Sequence, residues 1–299
     1  MKTILLKSIS VFALIAFVSC FNSCDRFGNK KSADSGTDST RIVCASKQLT
    51  ELIFELGAGD KIVGVDLSSN YPEEVKKLPT IGYHRMLNAE GIISLRPTAF
   101  IFNGGSDAAI GPPSLLPQLQ KVGITIKEFP SAETIDSTKA LIRTLGEYFN
   151  VKAKADSLCN KLDADMKLAA EKRKQYTDIP SVMIIHFGRA SNIYFPFGRK
   201  GTGNYLIEAS GGVNAIDTSS KFRTLSPEIL VQCQPQVILA TDFGFDRLGL
   251  EKFKELPGIS LTPAAKNNRI YRVEEHDLLY LSPRTGENIL KLMDMIHKK

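Results

Sequence analysis

The sequence predicts an α/β fold of two lobes, each a mostly parallel sheet flanked by helices, joined by one long inter-lobe helix. Three observations lead there: short apolar runs of β type alternate with helical periodicities, one strand and helix plan occurs twice, and a stretch free of Gly and Pro separates the copies. A chain of 299 residues with 43% apolar content is long enough for two modest cores.

The first folded element is Arg41-Ile-Val-Cys-Ala-Ser46, a short β-type run. Leu49, Leu52, Ile53 and Leu56 follow at helical spacing, and Gly57-Ala-Gly59 stops the helix. Lys61-Ile-Val-Gly-Val-Asp66 reads as a second strand and Ser68-Ser-Asn-Tyr-Pro72 as a turn. Asn88 then caps a helix that Pro97 ends, and Ala99-Phe-Ile-Phe102 is the next strand. Strands alternating with helices imply a parallel sheet covered on both faces.

The second half repeats the plan. Asn88-Ala-Glu90 through Pro97 to Phe102 matches Ser226-Pro-Glu228 through Pro235 to Ala240, each running cap, acid, apolar helix, proline, strand. Leu52-Ile53 through Gly57 is answered by Leu206-Ile207 through Gly211, and Arg41 to Ser46 by Ser181 to His186. Between the copies, residues 151–176 place Ala155, Leu158, Leu162, Met166 and Ala169 on one face. At about 1.5 Å per residue that helix runs roughly 39 Å, enough to cross from lobe to lobe. A single helical crossing predicts a cleft of nearly fixed shape. Ligands usually sit in such clefts.

Ahead of the folded part, Lys2 and Lys7 precede or open the apolar stretch from Ser8 to Val18. At about 11 residues it is too short for a membrane span, which takes about 20, and it reads as an export signal. Phe-Val-Ser-Cys20 and Phe-Asn-Ser-Cys24 each resemble a bacterial lipobox with Phe in place of Leu, so Cys20 or Cys24 is the expected lipidation site. The expected organisation is a signal peptide over 1–24, a polar tether over 25–40, an amino-terminal lobe over 41–150, the linking helix over 151–176 and a carboxy-terminal lobe over 177–299.

Several classes of function are excluded. Two of the net six positive charges are Lys2 and Lys7 of the leader, and no basic stripe interleaves with aromatics, so nucleic acid is not an expected partner. Cys44, Cys159 and Cys233 have no CxxC or Cys/His cluster around them and read as structural thiols in a strand and two helices. No Ser/His/Asp spacing, phosphate-cradling loop or HExxH is present, and Gly198-Arg-Lys-Gly-Thr-Gly203 lacks the spacing and closing Lys of a P-loop. An enzyme is not expected.

Two α/β lobes on one long helix behind a lipoprotein leader resemble the helical-backbone class of solute-binding proteins, the class III periplasmic-binding-protein fold, which serves ABC importers of corrinoids, ferric siderophores and haem. Within it the sequence is most similar to the haemin-binding subfamily. That resemblance is carried by Val65-Asp-Leu-Ser-Ser-Asn-Tyr-Pro72, Ile81-Gly-Tyr-His-Arg-Met-Leu-Asn-Ala-Glu-Gly91 and Gly111-Pro-Pro113 in the first lobe. Gly198 to Gly203, Gly211-Gly-Val-Asn214, Leu225-Ser-Pro-Glu228 and Leu281-Ser-Pro-Arg-Thr285 add to it in the second.

The resemblance implies a ferric haem b ligand, bound as cargo rather than as an enzyme's cofactor, and ABC permease and ATPase subunits as partners. Tyr83 holds the family's iron-ligand position, and a phenolate is a hard donor suited to ferric iron. Arg85 is placed to favour the phenolate or to grip a propionate. His186, at a strand's end, is the candidate second axial ligand, and His84, next to Tyr83, would point elsewhere if that segment is extended. Arg189 and Arg284 are candidate propionate contacts, and Tyr194 and Tyr280 candidate ring contacts. Glu90 and Glu228 match the two glutamates that dock this class onto its permease, although an acid in a helix's first turn also suits the helix dipole. The alternatives are a ferric siderophore or corrinoid as cargo, or a lipoprotein that relays haem without a permease.

Overall fold

The run at residues 41–46 forms β1, Ile42–Cys44, and the amino-terminal lobe is assembled around it. The computed structural model describes residues 40–105, 110–189, 191–216 and 224–298. Cys20, Cys24 and the tether up to residue 39 lie outside these residues. After β1 come α1 (Lys47–Glu55), β2 (Ile62–Val65), α2 (Ala89–Ser94), β3 (Ala99–Gly104), α3 (Leu115–Lys121), β4 (Thr125–Pro130) and α4 (Ile135–Tyr148). The strands pair in parallel in the order β2-β1-β3-β4. Side chains of β1 alternate between two apolar layers: Ile42 and Cys44 pack against α1 and α4, and Val43 packs with Ile92 of α2 and Leu119 of α3. Because both faces are covered, the strand is apolar at every position.

The linking helix α5 is Lys152–Arg173, 22 residues and so about 33 Å at ~1.5 Å per residue. It is shorter than the stretch without Gly or Pro, because Val151 is its cap and the chain turns at Lys174 to Tyr176. Its ends are rooted in different cores. Ala155, Leu158 and Cys159 belong to the amino-terminal cluster, whereas Ala169 packs with Leu292 and Ile296 of the other lobe.

The second lobe contains β5 (Ser181–Gly188), β6 (Ile193–Pro196), α6 (Thr202–Ala209), β7 (Val213–Asn214), α7 (Pro227–Cys233), β8 (Val237–Thr241), α8 (Asp242–Lys254), α9 (Pro263–Lys266), β9 (Ile270–Val273), α10 (Glu275–Leu278) and α11 (Thr285–Ile296). In this lobe β7, β5, β8 and β9 pair in parallel, the same arrangement as β2-β1-β3-β4. The repeat extends to the backbone. Asn88 and Ser226 cap α2 and α7 with their side chains, and Arg96 and Gln234, each just before a proline, adopt positive φ of 49° and 41°. Proline excludes the right-handed helical region for the residue before it, so both helices end with a left-handed residue at the same place. Cys44 and Cys159 are buried thiols, and Cys233 is half-buried in α7.

One departure from the repeat was not legible in the sequence. β5 runs past its counterpart β1 and turns back through Asn192, at φ 56°, into the antiparallel edge strand β6.

The lobes are also tied by polar groups at the floor between them. Glu51 of α1, with 0% exposure, accepts hydrogen bonds from Tyr280 Oη at 2.7 Å and from Arg284 Nε and Nη2 at 3.1 Å each. Arg284 also reaches Asp277 at 2.6 Å, and its guanidinium lies 4.2 Å from the centre of the Tyr71 ring. Gln48 of α1 donates to Leu281 O and Ala132 O, both at 3.0 Å. An Arg284→Met variant leaves Glu51 buried without its cation and is expected to lose about 3–5 kcal/mol of stability in urea unfolding. Adding Glu51→Leu should recover most of that loss, because replacing both partners of a buried ion pair with apolar side chains removes the desolvation cost.

Candidate functional site

Chain segments that leave the carboxyl ends of β1, β2 and β5 face one another between the lobes, the place where open parallel sheets present functional groups. There they enclose a cavity of ≈ 420 Å³. The amino-terminal lobe contributes Lys47, Leu67, Tyr83, His84 and Arg85, and the other lobe His186, Arg189, Ile193, Phe195 and Glu275. Small-molecule sites commonly have volumes of about 300–1,000 Å³.

Tyr83 is held by a tight turn. Gly82 takes φ 98°, which a side chain would resist, and its carbonyl accepts from Leu67 N at 2.8 Å. Met86 N then donates to Tyr83 O at 2.7 Å, and Gly111 N to His84 O at 2.8 Å. The segment is therefore turned rather than extended, which corrects the expectation for His84. Instead of pointing away, its ring lies 4.3 Å from that of Tyr83 and lines the same cavity. Arg85 is exposed at the cavity's edge.

His186 reaches the cavity from β5, and its partner across the hairpin, Phe195, lies on the same face with ring centres 5.1 Å apart. The imidazole Nδ1 is 3.0 Å from Thr241 Oγ1. Burial, reinforced by Lys47 and Arg189, pushes the pKa of His186 down to about 3. The ring is accordingly neutral, the form in which a nitrogen lone pair can bind metal.

Strand alternation also explains why Tyr194 is not at the cleft. It pairs with Phe187, one residue on from His186, so both rings lie on the opposite face, 4.9 Å apart. Its hydroxyl donates to Gly244 O at 2.6 Å, beneath α8. The expectation of a ring contact from Tyr194 is corrected accordingly. Arg284 is likewise no propionate contact, because Glu51 and Asp277 hold its guanidinium at the floor. Tyr280 is 7% exposed and borders a smaller adjoining cavity of ≈ 240 Å³ rather than the larger one. Burial, with the neighbouring Glu51 carboxylate, pushes its phenol well up, so Tyr280 serves as a hydrogen-bond donor.

Lys47, Leu67, Phe195 and Glu275 were missed by sequence reading. Lys47 could have been found by the rule that pointed to His186, because it lies just past the carboxyl end of a parallel strand, β1. Glu275 is 3.3 Å from Arg189 and 4.0 Å from Lys47, linking cations of both lobes. Burial lifts the Glu275 carboxyl above its ordinary value although both cations oppose this. Burial pulls the Lys47 ammonium below its ordinary pKa, with Glu275 and Asp66 opposing, so Arg85 and Arg189 carry the fixed positive charge of the wall. The Arg189 Nε is buried with no hydrogen-bond partner among the described residues.

Glu90 and Glu228 are both exposed, each in the first turn of its helix, α2 and α7. Hydrogen bonds from its own backbone amide and from Ser226 hold Glu228 below the usual carboxylate range, so it is a fixed negative charge.

A family model described as periplasmic binding protein matches residues 42–276. The chain belongs to the periplasmic binding protein family. Its two sheets and linking helix are the class III fold of that family. A periplasmic heme-binding protein, RhuT from Roseiflexus sp. RS-1, superposes with a TM-score of 0.77 at 33% identity, covering 87% of this chain and 98% of that one. The uncharacterized ABC transporter substrate-binding lipoprotein YvrC of Bacillus subtilis is 29% identical over 86% of this chain and 80% of its own length. A vitamin B12-binding protein of Vibrio vulnificus is 24% identical over 82% of this chain and 85% of its own. This periplasmic binding protein is therefore the solute-binding component of an ABC importer, acting on the extracytoplasmic side, and its family and these relatives are binders rather than enzymes.

The low pKa of His186 has a measurable consequence. Unfolded, the residue takes up a proton near its ordinary pKa of 6.5, whereas in the fold it does so only near 3. Its contribution to stability is thus fully present above pH 6.5 and is lost as the pH falls toward 3. A His186→Gln variant should have a flatter stability profile over that window. In the parent protein the His186 ring resonances should not titrate between pH 8 and 5.

Proposed function

We propose that this protein captures ferric haem in the inter-lobe cleft, with Tyr83 as the iron ligand, and delivers it to a membrane permease. One observation carries the reading: Tyr83 and His186, from opposite lobes, line a single cavity that also presents Lys47, Arg85 and Arg189 against one carboxylate, Glu275. A phenol and an imidazole are both haem-iron ligands, and Arg85, Arg189 and Lys47 suit the two propionates. Leu67, Ile193 and Phe195 offer apolar surface to the porphyrin. The 33% identity to a heme-binding protein supports the same cargo. On this reading Cys20 or Cys24 carries the lipid anchor. Glu90 and Glu228 dock the loaded protein on the permease, and the cargo leaves when the transporter pulls the lobes apart.

The second reading, a corrinoid cargo, is favoured by the vitamin B12-binding relatives. A ferric siderophore is the remaining option within the class. Titrating the mature protein with haemin and, separately, with cyanocobalamin decides among these. Haemin should give a saturable ferric Soret band, and Tyr83→Ala should abolish its high-spin tyrosinate form. Saturation by cyanocobalamin with none by haemin would replace the assignment.

Removing one charge-assisted contact to a propionate costs about 1.5–3 kcal/mol. Arg189→Ala is thus expected to weaken haemin binding roughly ten- to a hundredfold, read by fluorescence or absorbance titration. Reversing both Glu90 and Glu228 to lysine should leave the haemin spectrum unchanged and abolish co-purification with the intact permease complex. Retained co-purification would remove these residues from the interface.

A further inference from the structure

The turn that presents Tyr83 presents a second donor that the reading above leaves unused. His84 Nδ1 lies 3.6 Å from Asp66 Oδ2, within ion-pair reach. Asp66 is 1% exposed at the end of β2 and is fixed independently of the imidazole: Ser69 Oγ donates to its Oδ1 at 2.6 Å, and Ser68 donates to Oδ2 through its hydroxyl and, at 3.2 Å, its amide. Burial pushes this carboxyl up, but the nearby His84 ring and the hydrogen bonds of Ser68 and Ser69 together bring it below the usual range. Because the serines already satisfy Asp66, the fold does not require a histidine there to neutralise it.

What the histidine adds is a directed ring. With Nδ1 turned to the carboxylate, Nε2 is on the far edge of an imidazole whose side chain is 28% exposed and borders both cavities of the cleft. His186 repeats this arrangement from the other lobe, with its Nδ1 engaged by Thr241 Oγ1 and its ring on the ≈ 420 Å³ cavity. Metal-ligating histidines are characteristically built in this way, one ring nitrogen held by an oxygen and the other left for the metal. No cluster of three or more His, Cys, Asp or Glu among the described residues suits a bare ion, so the metal that two lone imidazoles serve is one that brings its equatorial donors with it.

We propose that His84, oriented by Asp66, is a second iron donor of the amino-terminal lobe, and that together with His186 it holds ferrous iron porphyrin in the cleft that Tyr83 serves for the ferric form. The physical ground is donor preference. A phenolate is a hard anionic oxygen matched to ferric iron, and a neutral imidazole is the softer donor, better suited to the reduced metal. The turn closed by Met86 N and Tyr83 O sets the two donors side by side, so a small shift of the porphyrin exchanges one for the other. The inference rests on the haem reading.

The test is an anaerobic titration of the mature protein with haemin, repeated after reduction with dithionite. The reduced complex should be six-coordinate and low-spin, with sharp α and β bands. His84→Ala should convert it to a five-coordinate ferrous spectrum, and added imidazole should restore the low-spin bands. The ferric, tyrosine-ligated spectrum of that variant should remain that of the parent. Asp66→Asn should weaken ferrous binding about ten- to a hundredfold, the range for losing an outer-sphere partner of a ligating histidine, with a smaller effect on ferric binding. In the parent protein, the diamagnetic ferrous complex should show two ring-current-shifted imidazole spin systems by NMR, a readout that needs no variant. A single shifted imidazole, or a reduced spectrum unaffected by His84→Ala, overturns this inference and leaves the haem reading intact. A parent protein that binds iron porphyrin in neither oxidation state overturns both.

Discussion

The carboxylate of Glu51 has no access to solvent; Arg284 of the other lobe pairs with it as a cation, and Tyr280 of that lobe donates it a hydrogen bond. A buried charge of this kind is tolerable only while its partners stay in place. The relative position of the lobes is therefore tied to the solvation of one side chain. Everything at the cleft depends on this registry, because each wall of the cavity belongs to a different lobe.

The linking helix works in the same direction. Ala155 and Leu158 anchor one end of α5 in the amino-terminal core, and Ala169 anchors the other end in the second. A helix rooted at both ends resists the large backbone rotations of a loop hinge. On the docking proposed for Glu90 and Glu228, a permease holding both α2 and α7 would supply the work that separates the lobes. The site's donors are carried by two local elements instead: the Tyr83 turn on one side and the β5–β6 hairpin on the other.

The chemistry of the cleft follows from which side chains those two local elements present. Gly82 and the turn after it present phenol, imidazole and guanidinium in three consecutive residues. The hairpin sorts its residues by strand alternation, His186 and Phe195 toward the cavity and Phe187 and Tyr194 toward α8. Lys47 and Arg189 add positive charge, and Glu275 couples them across the lobes. On the proposed reading these groups face the flat apolar ring, the acidic arms and the iron of a porphyrin.

Much of this was legible in the sequence, and for definite reasons. The duplicated plan of cap, acid, helix, proline and strand follows from local rules of helix capping and proline sterics, so the matched α2–β3 and α7–β8 units and the linking helix could be read directly. Tyr83, Arg85, His186 and Arg189 were found through a local motif or a strand end, and all four line the ≈ 420 Å³ cavity. Periodicity and capping are properties of neighbouring residues, so the elements, the mostly parallel pairing and the loops that carry donors could be read without a structure, whereas the strand order could not. That His84 turns into the cleft, Tyr194 turns away from it and Arg284 pairs with Glu51 emerged only in three dimensions. The orientation of a side chain past a turn, and the partner of a buried charge more than two hundred positions away, are fixed by packing that no local pattern records.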